Sequence, residues 1–234
     1  MTDSSAATNR QKKRRYRQHG NPFTIRAPEG QPPWGEIYGR VAPFALDIGF
    51  GEGGFTTDLA RQHPEWNVLG LEIRPHFVKW LLEAREEHQL DNLFGLVANA
   101  NLHLNELLDD QSVEFVSINF PDPWFKTKHH KRRVVRPDWL TVLLPKLKPG
   151  AIIHAMTDYQ PVGGQIMEVL EECSELENLL EPGVFATETT TGIYSERELI
   201  HEKRGEPIYR MAFRYVPSPP CPADLQLLGS DPTI

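Results

Sequence analysis

Residues 44–62, FALDIGFGEGGFTTDLARQ, hold the pattern on which the fold turns. Phe44–Ile48 is a short apolar run carrying Asp47, the pattern of a buried strand, and Gly54–Gln62 reads as a helix. Between them Gly49, Gly51 and Gly53 let the backbone turn sharply and approach a ligand without Cβ clashes. A strand, a tight glycine turn and a helix form the opening unit of a doubly wound α/β sheet.

The unit repeats along the chain. Asn67–Glu72 reads as a strand, Pro75–His88 as a helix with proline at its start, and residues 93–98 as a strand. Then follow a short helix at 102–108, a strand at 113–118, a helix at 137–147, a strand at 151–156 and a helix at 165–175. Residues 207–216, PIYRMAFRYV, alternate like a late strand. This alternation predicts a mostly parallel, doubly wound sheet. Residues 1–33 are polar, basic and then Pro/Gly-rich, which predicts a flexible arm before a domain at 34–216. Residues 217–234 predict a loosely ordered tail.

Composition narrows the class. A chain of 234 residues with 39% hydrophobic content suits one well-buried domain. It has no apolar run near the ~18 residues of a membrane span and no apolar signal core, so a cytosolic protein is expected. Cys173 and Cys221 are too few for a disulfide framework or a thiolate zinc site. The net charge of -7 hides a segregation of charge. Residues 10–26 hold seven Lys or Arg and no acid, and residues 126–136 hold six more, again with no acid. Those thirteen of the 25 basic residues leave twelve against 32 acidic ones elsewhere, the pattern of a polyanion-binding face on an acidic body.

In a doubly wound sheet, ligands sit beyond the carboxyl ends of the strands, so polar residues at those ends are the candidates. Gly49, Gly51 and Gly54 satisfy G-x-G-x-x-G with an acid about twenty residues on, which admits a nicotinamide cofactor. Glu72, closing the second strand, can accept bonds from ribose hydroxyls with either cofactor. Asp47 favours a cationic ligand such as S-adenosylmethionine, because it would repel dinucleotide phosphates.

After the fourth strand comes NFPDPWFKTKHHKRR, residues 119–133. Pro121 and Pro123 fix the backbone on both sides of Asp122 and leave its carboxylate little freedom. Trp124 offers a flat face to a base or to an arginine. Lys126, Lys128, Lys131, Arg132 and Arg133 run on directly, so whatever approaches Asp122 is expected to bring phosphates. His129 and His130 lack grouped acids or thiols, and no metal site is expected.

DIGFGEGG, GLEIR, VANANLHL and above all FPDPWFKTKHHKRR resemble the tRNA (guanine-N7)-methyltransferases, over residues 45–216. The resemblance implies a seven-stranded class I methyltransferase fold, S-adenosylmethionine as cofactor and tRNA, methylated on a variable-loop guanine, as substrate. It also implies that Asp47, Glu72, Asn99 with Ala100, and Asp122 surround the cofactor beside the glycine loop. Substrate contacts fall by the same resemblance on Lys126, Asp158 and the run Ser195, Glu196, Arg197 and Glu198, where Ser195 replaces the usual Thr.

Guanine N7 carries an unprotonated lone pair, so no base need remove a proton before transfer. Asp122 is then expected to stabilise the positive charge that migrates to the ring. Asp158 and Glu198 are expected to accept from guanine N1–H and its 2-amino group, while Lys131, Arg132 and Arg133 contact phosphates. Enzymes acting on exocyclic amines often use an Asn/Asp-Pro-Pro-aromatic corner, whereas here Asp122 lies between prolines. An oxidoreductase and a non-catalytic RNA-binding module are the rival readings. Nothing in the sequence calls for a partner subunit.

Overall fold

The order of elements in the computed structural model, which describes residues 22–26 and 30–217, alternates helix and strand almost throughout. The chain runs α1 (Trp34–Tyr38), β1 (Phe44–Ile48), α2 (Gly54–Gln62), β2 (Asn67–Glu72), α3 (Pro75–His88), β3 (Leu93–Val97), α4 (Ala100–Leu107) and β4 (Val113–Asn119). It continues through α5 (Pro137–Leu143), β5 (Leu147–Thr157), α6 (Gln160–Glu171), β6 (Leu176–Asn178), α7 (Glu196–Arg204) and β7 (Tyr209–Tyr215). Most of the expected basic arm, at 1–21, and the tail from 218 lie outside the described residues.

The strands form one sheet in the order β3-β2-β1-β4-β5-β7-β6. The pairs β1/β2, β2/β3, β1/β4 and β4/β5 are parallel, and β7 enters antiparallel between β5 and β6. Strand order reverses between β1 and β4, so the loops after these strands splay apart and open a crevice.

Every residue of β1 is buried, because helices cover both faces of the sheet. The period-two alternation sends Leu46 and Ile48 into one core, with Val116, Ile118, Ile153 and Trp139. It sends Ala45 into the other, with Phe55, Leu59, Leu81 and Phe115. At the β1–α2 turn Gly53 has φ 86°, and a Cβ there would meet Leu81 Cδ1 at 2.8 Å. The indole of Trp34, the first residue of α1, donates to the Leu107 carbonyl at 2.6 Å and packs edge-on against Phe44 and Phe94.

Several boundaries differ from those expected. The short fourth helix begins at Ala100 because Asn99 caps it, its side chain accepting from the Asn101 N–H at 3.0 Å. The fifth helix stops at Leu143, ahead of Pro145, and β5 starts at Leu147, pairing with Val113 before a register shift. Helix α6 starts five residues earlier than expected, with Pro161 in its first turn and the Gly163–Gly164 pair inside it. Gly163 lets α6 approach β7 closely, since a Cβ there would meet Tyr209 Cβ at 3.0 Å. Helices α1 and α7 and the three-residue β6 were not among the expected elements. No helix among the described residues is long and apolar enough to cross a membrane.

Candidate active site

The crevice at the strand-order reversal contains a cavity lined by Gly49 after β1, Glu72 after β2, Asn99 and Ala100 after β3, and Asp122 after β4. Five of the expected cofactor residues thus meet on one wall-to-wall space. Gly51 and Gly53 shape the loop beneath it, both with left-handed backbone (φ 60° and 86°).

Glu72 is buried and tightly held. Its Oε1 accepts from the N–H groups of Ile73 and Arg74 at 2.8 and 3.1 Å, and Oε2 accepts from Gly51 N–H at 3.2 Å. The Arg74 guanidinium adds a two-pronged grip, Nε to Oε1 at 3.0 Å and Nη2 to Oε2 at 2.8 Å. These bonds fix where the carboxylate points.

Asp47, also expected beside the cofactor, stands behind this group. It does not line the cavity: the alternation along β1 turns its side chain toward α2 and β4, where it accepts from Thr56 Oγ1 at 2.6 Å and Ser117 Oγ at 2.9 Å. Burial pushes its carboxyl up to about 6, offset in part by those two hydroxyl bonds and reinforced by Glu72. Asp47 therefore ties β1 to α2 and β4.

Around Asp122 the backbone is unusual. Phe120 and Trp124, on either side of the Pro-Asp-Pro run, take φ of 49° and 44°, a region bulky side chains rarely occupy. Such local strain persists where the surroundings over-determine it, and it concentrates at functional sites. The Trp124 face is covered by Arg132, whose guanidinium carbon lies 4.9 Å from the ring centroid. Arg132 itself lines the cavity. Arg133 also turns inward, donating from Nε to the Pro123 carbonyl at 3.0 Å, while its own carbonyl accepts from Asn101 Nδ2 at 2.9 Å and Arg136 Nη1 at 2.7 Å. The basic run is thus divided: Lys126, Lys128 and Lys131 face solvent, whereas Arg132 and Arg133 are half-buried and brace the Asp122 turn. In this structure the Arg133 guanidinium donates to the Pro123 carbonyl and that of Arg132 lies on the Trp124 face.

The remaining expected substrate residues form a second group beyond Phe120. Asp158, after β5, accepts at Oδ2 from Arg197 Nη2 at 2.5 Å and lies 3.1 Å from His201 Nε2. Arg197 and His201 stand one helical turn apart on α7 and both pack on the Phe120 ring. Glu196 is exposed.

Ser195 and Glu198, the other expected substrate residues, bond to one another. They form a capping box at the start of α7: Ser195 Oγ accepts from Glu198 N–H, and Glu198 Oε2 accepts from Ser195 N–H, each at 3.2 Å. Glu198 Oε1 accepts from Arg210 Nε at 2.6 Å with no solvent exposure, so its carboxylate is spent inside the protein and does not reach the cavity. Among the described residues, no group of His, Cys, Asp and Glu could hold a metal ion.

Arg74, Phe120 and His201 were not singled out from the sequence. Ser-x-x-Glu was the available signal for the last, because it marks a helix start and so predicts that residues 197 and 201 share a face.

Solved structures with this fold include a SAM-dependent methyltransferase from Aquifex aeolicus, at 15% identity and TM-score 0.52 over 76% of this chain and 85% of that one. An rRNA methylase from Streptococcus thermophilus follows at 10% identity and TM-score 0.51, over 78% and 93%. The profile of a family described as "Putative methyltransferase" matches residues 41–211. Among curated relatives, the tRNA (guanine-N(7)-)-methyltransferase of Synechococcus sp. (strain JA-3-3Ab) is 37% identical over 84% of both chains. That of Paraburkholderia xenovorans is 38% identical over 68% of this chain and 61% of its own. With the fold, the strand-end site and this identity along most of its length, the chain belongs to the tRNA (guanine-N(7)-)-methyltransferase family.

Proposed function

We propose that this protein transfers a methyl group from S-adenosylmethionine to N7 of a guanine in the variable loop of tRNA, in the cytosol and as a single chain. The observation that carries the reading is the convergence of Gly49, Glu72, Asn99 and Asp122 on one cavity at the strand-order reversal. Family membership leaves the oxidoreductase and the non-catalytic module without support.

The residues present fit this cofactor. Glu72 offers a fixed, buried carboxylate to a ribose diol, which would take over from the part-exposed Arg74 fork. The left-handed Gly49 leaves open space where a Cβ would stand. Asp122 presents negative charge to a cationic centre on the same cavity wall. When bound, the cofactor supplies an electrophilic methyl group on a sulfonium.

The chain's own part is positioning and charge. The guanine N7 lone pair forms the new N–C bond as the S–C bond breaks, its electron pair stays on sulfur, and the positive charge passes to the base. No proton leaves N7, so no residue need act as a general base. Asp122, pinned between prolines, keeps its carboxylate aligned with the migrating charge without reorganising. Lys126, Lys128 and Lys131 supply the cationic approach for the tRNA backbone.

The test is incubation with labelled S-adenosylmethionine and unmodified tRNA, followed by aniline cleavage to map 7-methylguanosine. Cleavage at a single variable-loop guanine is expected; labelled tRNA resistant to aniline would refute N7 as the target.

A further inference from the structure

The Phe120 ring is held in the cavity wall by a left-handed backbone, anchored where its N–H donates to the Met156 carbonyl at 2.8 Å. Over that ring, 4.9 Å from its centroid, lies the Arg197 guanidinium. The His201 ring stacks on Phe120 at 5.9 Å and 16°. Arg197 Nη2 and His201 Nε2 both reach Asp158 Oδ2, at 2.5 and 3.1 Å. A planar carbon bearing N–H groups thus rests on an aromatic face and donates to a carboxylate. Guanine presents the same array along its N1–H, C2 and 2-amino edge, which is itself a guanidine fragment.

We infer that Arg197 holds the place of the target base: guanine stacks on Phe120 with its N1–H and 2-amino edge on Asp158, and Arg197 swings out to admit it. The inference rests on the proposed tRNA guanine substrate and deepens it. Arg197 is then a competitor for the site. The Arg197 side chain is 54% exposed, so it can leave into water without uncovering the core. Adenine, with no N1–H and no 2-amino group, offers Asp158 nothing comparable, and the site would select guanine. A site occupied in the free protein lowers apparent affinity by the fraction of time it is closed.

The experiment compares wild type, R197A and R197K, reading KM for tRNA and the tRNA Kd by filter binding with S-adenosylhomocysteine present. R197A is expected to lower both by roughly two- to fivefold, the range an exposed ion pair can impose, although a positive charge is lost. R197K keeps the charge but loses the planar fork, and is expected to move in the same direction by less. Adding D158N is expected to abolish the gain from R197A. Weaker binding by R197A with R197K near wild type would make Arg197 a phosphate contact and overturn the inference, as would no change in either variant. Wild-type protein that leaves tRNA unmethylated would instead sink the proposed function, so the two failures are told apart.

Discussion

Glu198 and Arg210 meet 2.6 Å apart out of contact with water, and this pair, not a ligand, commands the Glu198 carboxylate. Arg210 carries on to Glu202 at 2.6 Å and to the Thr187 carbonyl at 3.2 Å, so one guanidinium ties β7 to α7 and the preceding loop. Glu198→Ala leaves that guanidinium buried beside one partner fewer. A loss of about 1–3 kcal/mol in urea unfolding is expected, since the buried guanidinium loses one charge-assisted bond and keeps Glu202. Unchanged stability with a raised KM for tRNA would restore Glu198 to the substrate.

Asp122→Asn keeps the size of the side chain but removes the negative charge from the cavity wall. Turnover is expected to fall by about 100-fold or more, the scale of losing one preorganised electrostatic contact, with the fold unchanged by circular dichroism. Near-wild-type turnover would remove charge stabilisation from the mechanism.

The divided basic run makes a two-part prediction. Replacing Lys126, Lys128 and Lys131 with Gln should weaken tRNA binding and reduce the slope of log Kd against log salt by about 2–3, leaving cofactor affinity alone. Arg132→Ala should act chiefly on S-adenosylmethionine affinity, because this residue walls the cavity and covers Trp124. Calorimetric titration of both ligands into both variants separates the effects.

Asp47 gives a pH signature. Burial raises its carboxyl from the ordinary range to about 6 in the folded chain. The folded state therefore holds this proton more tightly than the unfolded one: the contribution is full below about pH 4 and is lost as pH rises to about 6. Wild type minus Asp47→Asn should show a stability difference that declines over that window, by at most about 3 kcal/mol, in urea melts taken at a series of pH values. A difference independent of pH would mean that Asp47 titrates normally.

Much of the fold was legible because hydrophobic period and glycine or proline punctuation agree in β1, α2, β2 and α3, whose limits match the expected ones. It was less legible where a tertiary cause acts. Gly163 sits inside α6 because Tyr209 presses on it, and no local pattern reports that. Three-residue β6 is too short to carry a period. In the site, Gly49, Glu72, Asn99 and Asp122 could be found from their places at strand ends. Asp47 lies one residue inside its strand, and its bonds to Thr56 and Ser117 follow from an alternation whose direction only the packed sheet reveals. Ser-x-x-Glu serves equally as a recognition motif and as a helix cap, and the bond from Arg210, twelve residues on, is invisible in the local pattern.

The Asn101 side chain grips the Arg133 carbonyl, and Arg132 forms part of the cavity wall, so the segment that carries the exposed lysines is also structural material of the cavity. A polyanion that shifted this segment on binding would alter the space where the small ligand sits. By reciprocity of binding free energies, the small ligand must then change the polyanion's affinity by the same factor. The total binding free energy is then the same whichever ligand arrives first, and each resets the dissociation constant of the other by one shared factor.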